Sequence, residues 1–265
     1  MTVKPATLVS AALPKRAATS HKTHFLERWS FVSVAVMMIA TSIAGFVPAI
    51  LNPGPRRGPI SPLAAIHGII FFAWLLLFLI QSLLIQSGRV VWHRRLGVAT
   101  ACVLALMVPL GYQTTIAMVR RGYDLSGDQL VGLPGNNLSL DAQTASAFNL
   151  IALVWFTLLA VIGLCFRRRP AIHKRLMLLA TIQLMTASVA HLLGHAGALK
   201  PGPIIGSFSP FLLAAVARDW LVDKRVHPLT AALAVISVAL LPVEAGLIGP
   251  SAPWHRLLSW LAGSA

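Results

Sequence analysis

The sequence predicts an all-α, polytopic membrane helix bundle of about seven transmembrane helices, with the N-terminus inside and the C-terminus outside. Three observations lead there. The 265 residues are 57% hydrophobic and only 11% charged, with a mean hydropathy of +0.77, whereas globular domains carry about 25% charged residues. The apolar residues form runs of roughly the 20 residues that a bilayer span requires, without the strict alternation of a barrel strand. The 22 Lys and Arg residues fall between those runs, 16 in alternate segments starting from the N-terminus and 6 in the others. That is the positive-inside asymmetry, and an even number of spans would spoil it. The formal charge of +15 is thereby explained by topology, and a nucleic-acid surface is not expected.

In chain order, residues 1–29 form a basic cytoplasmic tail with Lys4, Lys15, Arg16, Lys22 and Arg28. The run that follows is too long for a signal peptide and lacks a small-residue cleavage site. The tail is expected to be retained, to orient the first helix and to touch anionic headgroups. The bundle occupies 30–249, with spans near 31–51, 63–86, 96–118, 146–166, 175–196, 203–221 and 229–248. The sixth is the weakest, interrupted by Pro210 and closed by Arg218-Asp219. The outer loop from Arg120 to Thr144 carries Asp124, Asp128, Asp141 and the sequon Asn137-Leu138-Ser139, and reads as a solvated connector. Residues 250–265 form an outer interfacial segment, where Trp254, His255, Arg256 and Trp260 punctuate Leu257, Leu258 and Leu261. Cys102 and Cys165 lie toward the cytoplasm, so no disulfide framework is expected.

Two helix starts resemble each other. Trp92-His93-Arg94-Arg95-Leu96-Gly97 opens the third span and Ile172-His173-Lys174-Arg175-Leu176-Met177 the fifth, each following a span with a tryptophan, Trp74 or Trp155, at nearly equal spacing. This suggests a repeat of hairpins 63–118 and 146–196.

Ionisable groups at membrane depth are costly and commonly functional, so the histidines carry the functional reading. His67 lies near the outer end of its span, as do His191, His195 and Glu244, while His93 and His173 lie at inner ends. The 18 residues from His173 to His191 span about 27 Å of helix, which separates an outer layer (His67 with His191 or His195) from an inner one (His93 with His173). Facing imidazoles in a dry aromatic pocket suit haem b, and two layers would carry an electron across the bilayer. The same residues also suit simpler roles: His93 and His173 as topogenic neighbours of cations, His67 as a packing histidine.

A second chemical reading takes His191 and His195, one helical turn apart, with His67 or Glu244, as ligands of a divalent metal ion, and Gln81 and Gln183 as an inward polar path for a permease. No hydrolase or nucleotide-binding motif is present.

The run from His67-Gly68 through Trp74, Gln81 and Trp92 to Gly97, continued by Arg169-Pro170 and His173 to Met177, resembles uncharacterised bacterial multipass membrane proteins over roughly 63–196. That resemblance implies the bacterial inner membrane and a fold without a known activity, and His191 departs from it where Arg is expected. The layered histidines are more distantly similar to transmembrane b-type cytochromes, which implies haem b and a membrane redox partner. The expected function is an inner-membrane haem-b electron carrier or oxidoreductase subunit, with a metal or small-solute permease and an accessory subunit of a membrane complex as alternatives.

Overall fold

The computed structural model describes residues 21–52, 59–122, 141–196 and 201–263, with side chains from Trp29 onward except 201–205 and 207. The basic tail up to residue 20, the Asp124 and Asp128 loop and the Asn137 sequon lie outside the described residues. All regular structure among the described residues is helical: α1 (His21–Leu51), α2 (Pro62–Gln86), α3 (Val90–Arg121), α4 (Ala142–Cys165), α5 (Pro170–Gln183), α6 (Met185–His195), α7 (Pro201–Asp223), α8 (Pro228–Val243), a π-helical turn (Glu244–Ile248) and α9 (Ala252–Ala262).

The helices start where local chemistry supplies a cap. Ser61 Oγ accepts from the Ala64 amide at 3.2 Å, Asp141 from Thr144 at 2.7 Å and Ser251 from Trp254 at 3.3 Å. Prolines in the first turns of α2, α5, α8 and α9 fill positions where no intrahelical N–H is needed. Helices α2 and α3 form a hairpin closed by Gly88, whose φ of 74° only glycine adopts cheaply. Helices α4 and α5 form a second hairpin, turned by Arg167–Arg169.

Among the described residues, six segments are long and apolar enough to cross a membrane: 29–51, 62–86, 90–121, 142–165, 170–195 and 228–248. Within bilayer hydrocarbon, helices satisfy every backbone polar group internally. The protein is an integral membrane protein. Helix α7 has 23 residues and carries Pro210 and, near its end, the Arg218-Asp219 pair.

The α5–α6 segment is the axis of the bundle, with 67% of its apolar window buried against 17–39% in the other five. Trp74, Phe156, Leu179, Met38 and Phe208 pack into one core, and Trp74 Nε1 donates to Thr181 Oγ1 at 3.1 Å. Ile69, Val98, Leu213 and Val235 face outward, an apolar coat that suits acyl chains. Helix α9 packs on one end of α3 and α4, where Arg120 Nε donates to the Ala262 carbonyl (2.8 Å) and Trp254 Nε1 to that of Gln143 (2.9 Å). Its Leu257 and Trp260 remain exposed.

Candidate functional site: a histidine pair and two buried polar clusters

The two hairpin turns deliver His93 and His173 to one end of the bundle, each in the first turn of its helix. Their ring centres lie 6.3 Å apart with planes at 76°. His173 Nδ1 donates to the Gly163 carbonyl at 2.7 Å. A carbonyl only accepts, so the ring hydrogen of neutral His173 sits on Nδ1 and the lone pair on Nε2. Gln81 reaches His93 Nδ1 at 2.5 Å. With its nitrogen toward the imidazole it also donates to the His93 carbonyl (3.1 Å) and accepts from the Gly97 amide (3.2 Å); with its oxygen there, it would accept from Nδ1 and free the Nε2 lone pair. Gln81 therefore belongs to the inner histidines rather than to a path descending from His67.

The outer histidines take different neighbours. His67 stacks on Phe71, ring centres 3.9 Å apart, and meets Thr114 Oγ1 on α3 at 3.3 Å. The Thr114 hydroxyl donates to the Leu110 and Gly111 carbonyls, so the hydrogen of that bond comes from His67 Nδ1. On α6, His191 is buried with its ring 4.5 Å from that of Phe46, and His195 Nε2 donates to the Gly45 carbonyl at 2.9 Å, both toward α1. Among the described residues, no three His, Cys, Asp or Glu side chains gather as a metal-holding group.

A second cluster joins α5, α7 and the start of α8. Arg175 Nε and Nη2 grip both oxygens of Asp219 at 3.0 and 2.8 Å, and Nη2 also reaches Asp223 at 2.5 Å. Arg218 Nη1 bridges Asp219 (2.8 Å) and Asp223 (2.6 Å). Thr230 Oγ1 and the His227 amide complete the shell of Asp219 at 2.7 and 3.2 Å. Two cations and two anions cancel, which permits Arg175, Arg218 and Asp219 to be buried together.

A third cluster lines a cavity between α4 and α8. Glu244, 4% exposed, opens the π-helical turn and faces Trp155, Gln183, Thr186, Phe208 and Ser237. None of His67, His191 and His195 lines that cavity.

Comparison with family models, curated proteins and solved structures found no match. The site therefore rests on geometry alone. Sequence reasoning brought His93 and His173 to one depth but missed the ion cluster, treating Arg175 as a topogenic cation and Arg218-Asp219 as the end of a span. The available signal was an Arg-Asp dipeptide at the edge of an apolar run, a costly placement unless partners are supplied.

Proposed function

We propose that this integral membrane protein is a haem-b-binding electron carrier or oxidoreductase subunit of the bacterial inner membrane, with His93 and His173 as the iron's ligands. The observation that carries the reading is their spacing. Two imidazoles bound at about 2 Å each hold their nitrogens about 4 Å apart and their ring centres about 6 Å apart, and the rings here are 6.3 Å apart. The Gly163 carbonyl presets His173 for ligation through Nε2, whereas the Gln81 amide, donating to His93 Nδ1, has to turn its oxygen to that nitrogen before His93 Nε2 can ligate. Bound haem would supply one-electron chemistry at the cytoplasmic face, for exchange with a membrane redox partner. The outer histidines turn to separate helices, so the proposal needs one haem, not two.

Purified protein, reconstituted with hemin in detergent, should show a low-spin b-type spectrum that sharpens on dithionite reduction. His93→Ala and His173→Ala should each abolish the low-spin species, while His195→Ala should retain it. A colourless protein that takes up no hemin, or one whose spectrum survives both inner substitutions, defeats the assignment. A permease reading draws on the Glu244 cavity, and colourless protein whose stability rises with a transported solute would favour it.

A further inference from the structure

We propose that Glu244 is an intramembrane proton-binding carboxyl, seated in its own polar cavity and independent of the histidine pair. The cavity is built around it by five helices. Trp155 comes from α4, Gln183 from the end of α5, Thr186 from α6, Phe208 from α7 and Ser237 from α8. Two backbone irregularities open on this point: the break at Leu184 that separates α5 from α6, and the π-helical turn that begins at Glu244 itself. Irregular backbone at membrane depth is tolerated where it lines a cavity, and π turns recur at functional positions.

The hydrogen bonds of the walls define what the cavity still offers. Gln183 Nε2 donates to the Leu179 carbonyl at 3.1 Å and to Ser237 Oγ at 2.9 Å, which uses both amide hydrogens and leaves Oε1 as an acceptor. Ser237 Oγ also accepts from Trp155 Nε1 at 3.3 Å, so both its lone pairs are engaged and its hydrogen is left to donate. One acceptor and one donor remain, the complement of a carboxylic acid, which has one O–H and one carbonyl oxygen. A carboxylate, which only accepts, matches half of that set. No described residue hydrogen-bonds the Glu244 side chain, although it is buried. The free volume has room for about one water, enough to relay a proton between these groups.

Among the described residues, no other titratable group faces this carboxyl. Asp141, capping α4, is held by Thr144, and His255 of α9 by the Gly249 carbonyl and Thr144. His191 and His195 on α6 turn to α1, and Arg218, Asp219 and Asp223 of α7 are joined to Arg175 of α5. Helix α8 has no charged residue before Glu244.

The test is labelling of the full chain in lipid nanodiscs with dicyclohexylcarbodiimide, an apolar reagent that attacks protonated carboxyls, with the modified peptide mapped by mass spectrometry. One adduct should fall on Glu244 near neutral pH and fade as pH rises. It should vanish in Glu244→Gln and persist in His93→Ala, which separates this site from the haem proposal. Gln183→Leu, lacking the acceptor for the acid, should move the pH profile of labelling downward; a merely structural role for Gln183 would leave that profile in place. Absence of a Glu244 adduct in a protein that labels elsewhere, or protection of Glu244 by sodium ions at constant pH, would overturn the proposal, the latter by making the site one for a metal cation.

Discussion

Asp219 accepts five hydrogen bonds, from Arg175 twice, Arg218, Thr230 and the His227 amide. A buried ion pair is weak evidence of net stabilisation, because desolvation offsets its Coulomb energy, but deleting one member strands the other. Asp219→Ala should therefore lower stability by about 3–5 kcal/mol. The double variant Arg175→Met/Asp219→Leu, which leaves Arg218 and Asp223 to balance each other, should recover most of that loss. Thermal unfolding of the three proteins in one detergent measures both effects, and additive losses would show that the two side chains act separately. The depth of each histidine was legible because helical rise converts sequence position directly into depth. The partners were not, since His67 finds Thr114 47 positions away and Arg175 finds Asp219 44 positions away. Contacts of that separation are set by which helices neighbour one another, which a single sequence does not encode locally.

At the scale of elements, α1 and α6 pack through small residues. A Cβ on Gly45 would lie 2.5 Å from the Ser188 carbonyl oxygen, and Ser42 and Ser188 share a hydrogen bond at 2.9 Å one turn away. Lipid offers no hydrophobic drive for this pairing, so close backbone approach supplies it. Gly45→Ala should cost about 1–3 kcal/mol by forcing the helices apart, whereas Ser42→Ala should cost under about 1 kcal/mol. Detergent unfolding of the pair checks the order, and equal losses would place the crossing's strength in the hydrogen bond. The helices themselves were legible: the seven apolar runs lie within α1 to α8 and the π turn to within a residue or two at their ends, and α9 falls on the expected interfacial segment. The break at Leu184 was not, because 175–196 reads as one apolar run with no proline or glycine at the break. Gln183, whose amide bonds the Leu179 carbonyl, offers no distinctive sequence signal for it. Pro242 did offer a signal for the π turn, since it lacks the N–H that the Val238 carbonyl would accept.

For the whole molecule, the division of basic residues predicts that both hairpin turns and the α7–α8 connection face the cytoplasm, with the C-terminus outside. His93 and His173 share one end of the bundle and α9 packs at the opposite ends of α3 and α4, an arrangement common to both orientations. An alkaline phosphatase fused after Ala265 should be active and one fused after Gln86 inactive. Inactivity of both fusions would remove one crossing, with α7 the candidate.

The neutral cluster on α7 also bears on how the chain is made. A segment carrying Arg218-Asp219 partitions poorly into lipid on its own when it leaves the ribosome, since an exposed ion at membrane depth costs about 2.5–3.5 kcal/mol on insertion scales. Its counter-ion Arg175 is synthesised 44 residues earlier, on a helix already delivered to the bilayer. Biogenesis is then sequential, with α5 acting as a template that retains α7, and Arg175→Leu should yield a mixture of orientations in the Ala265 phosphatase fusion.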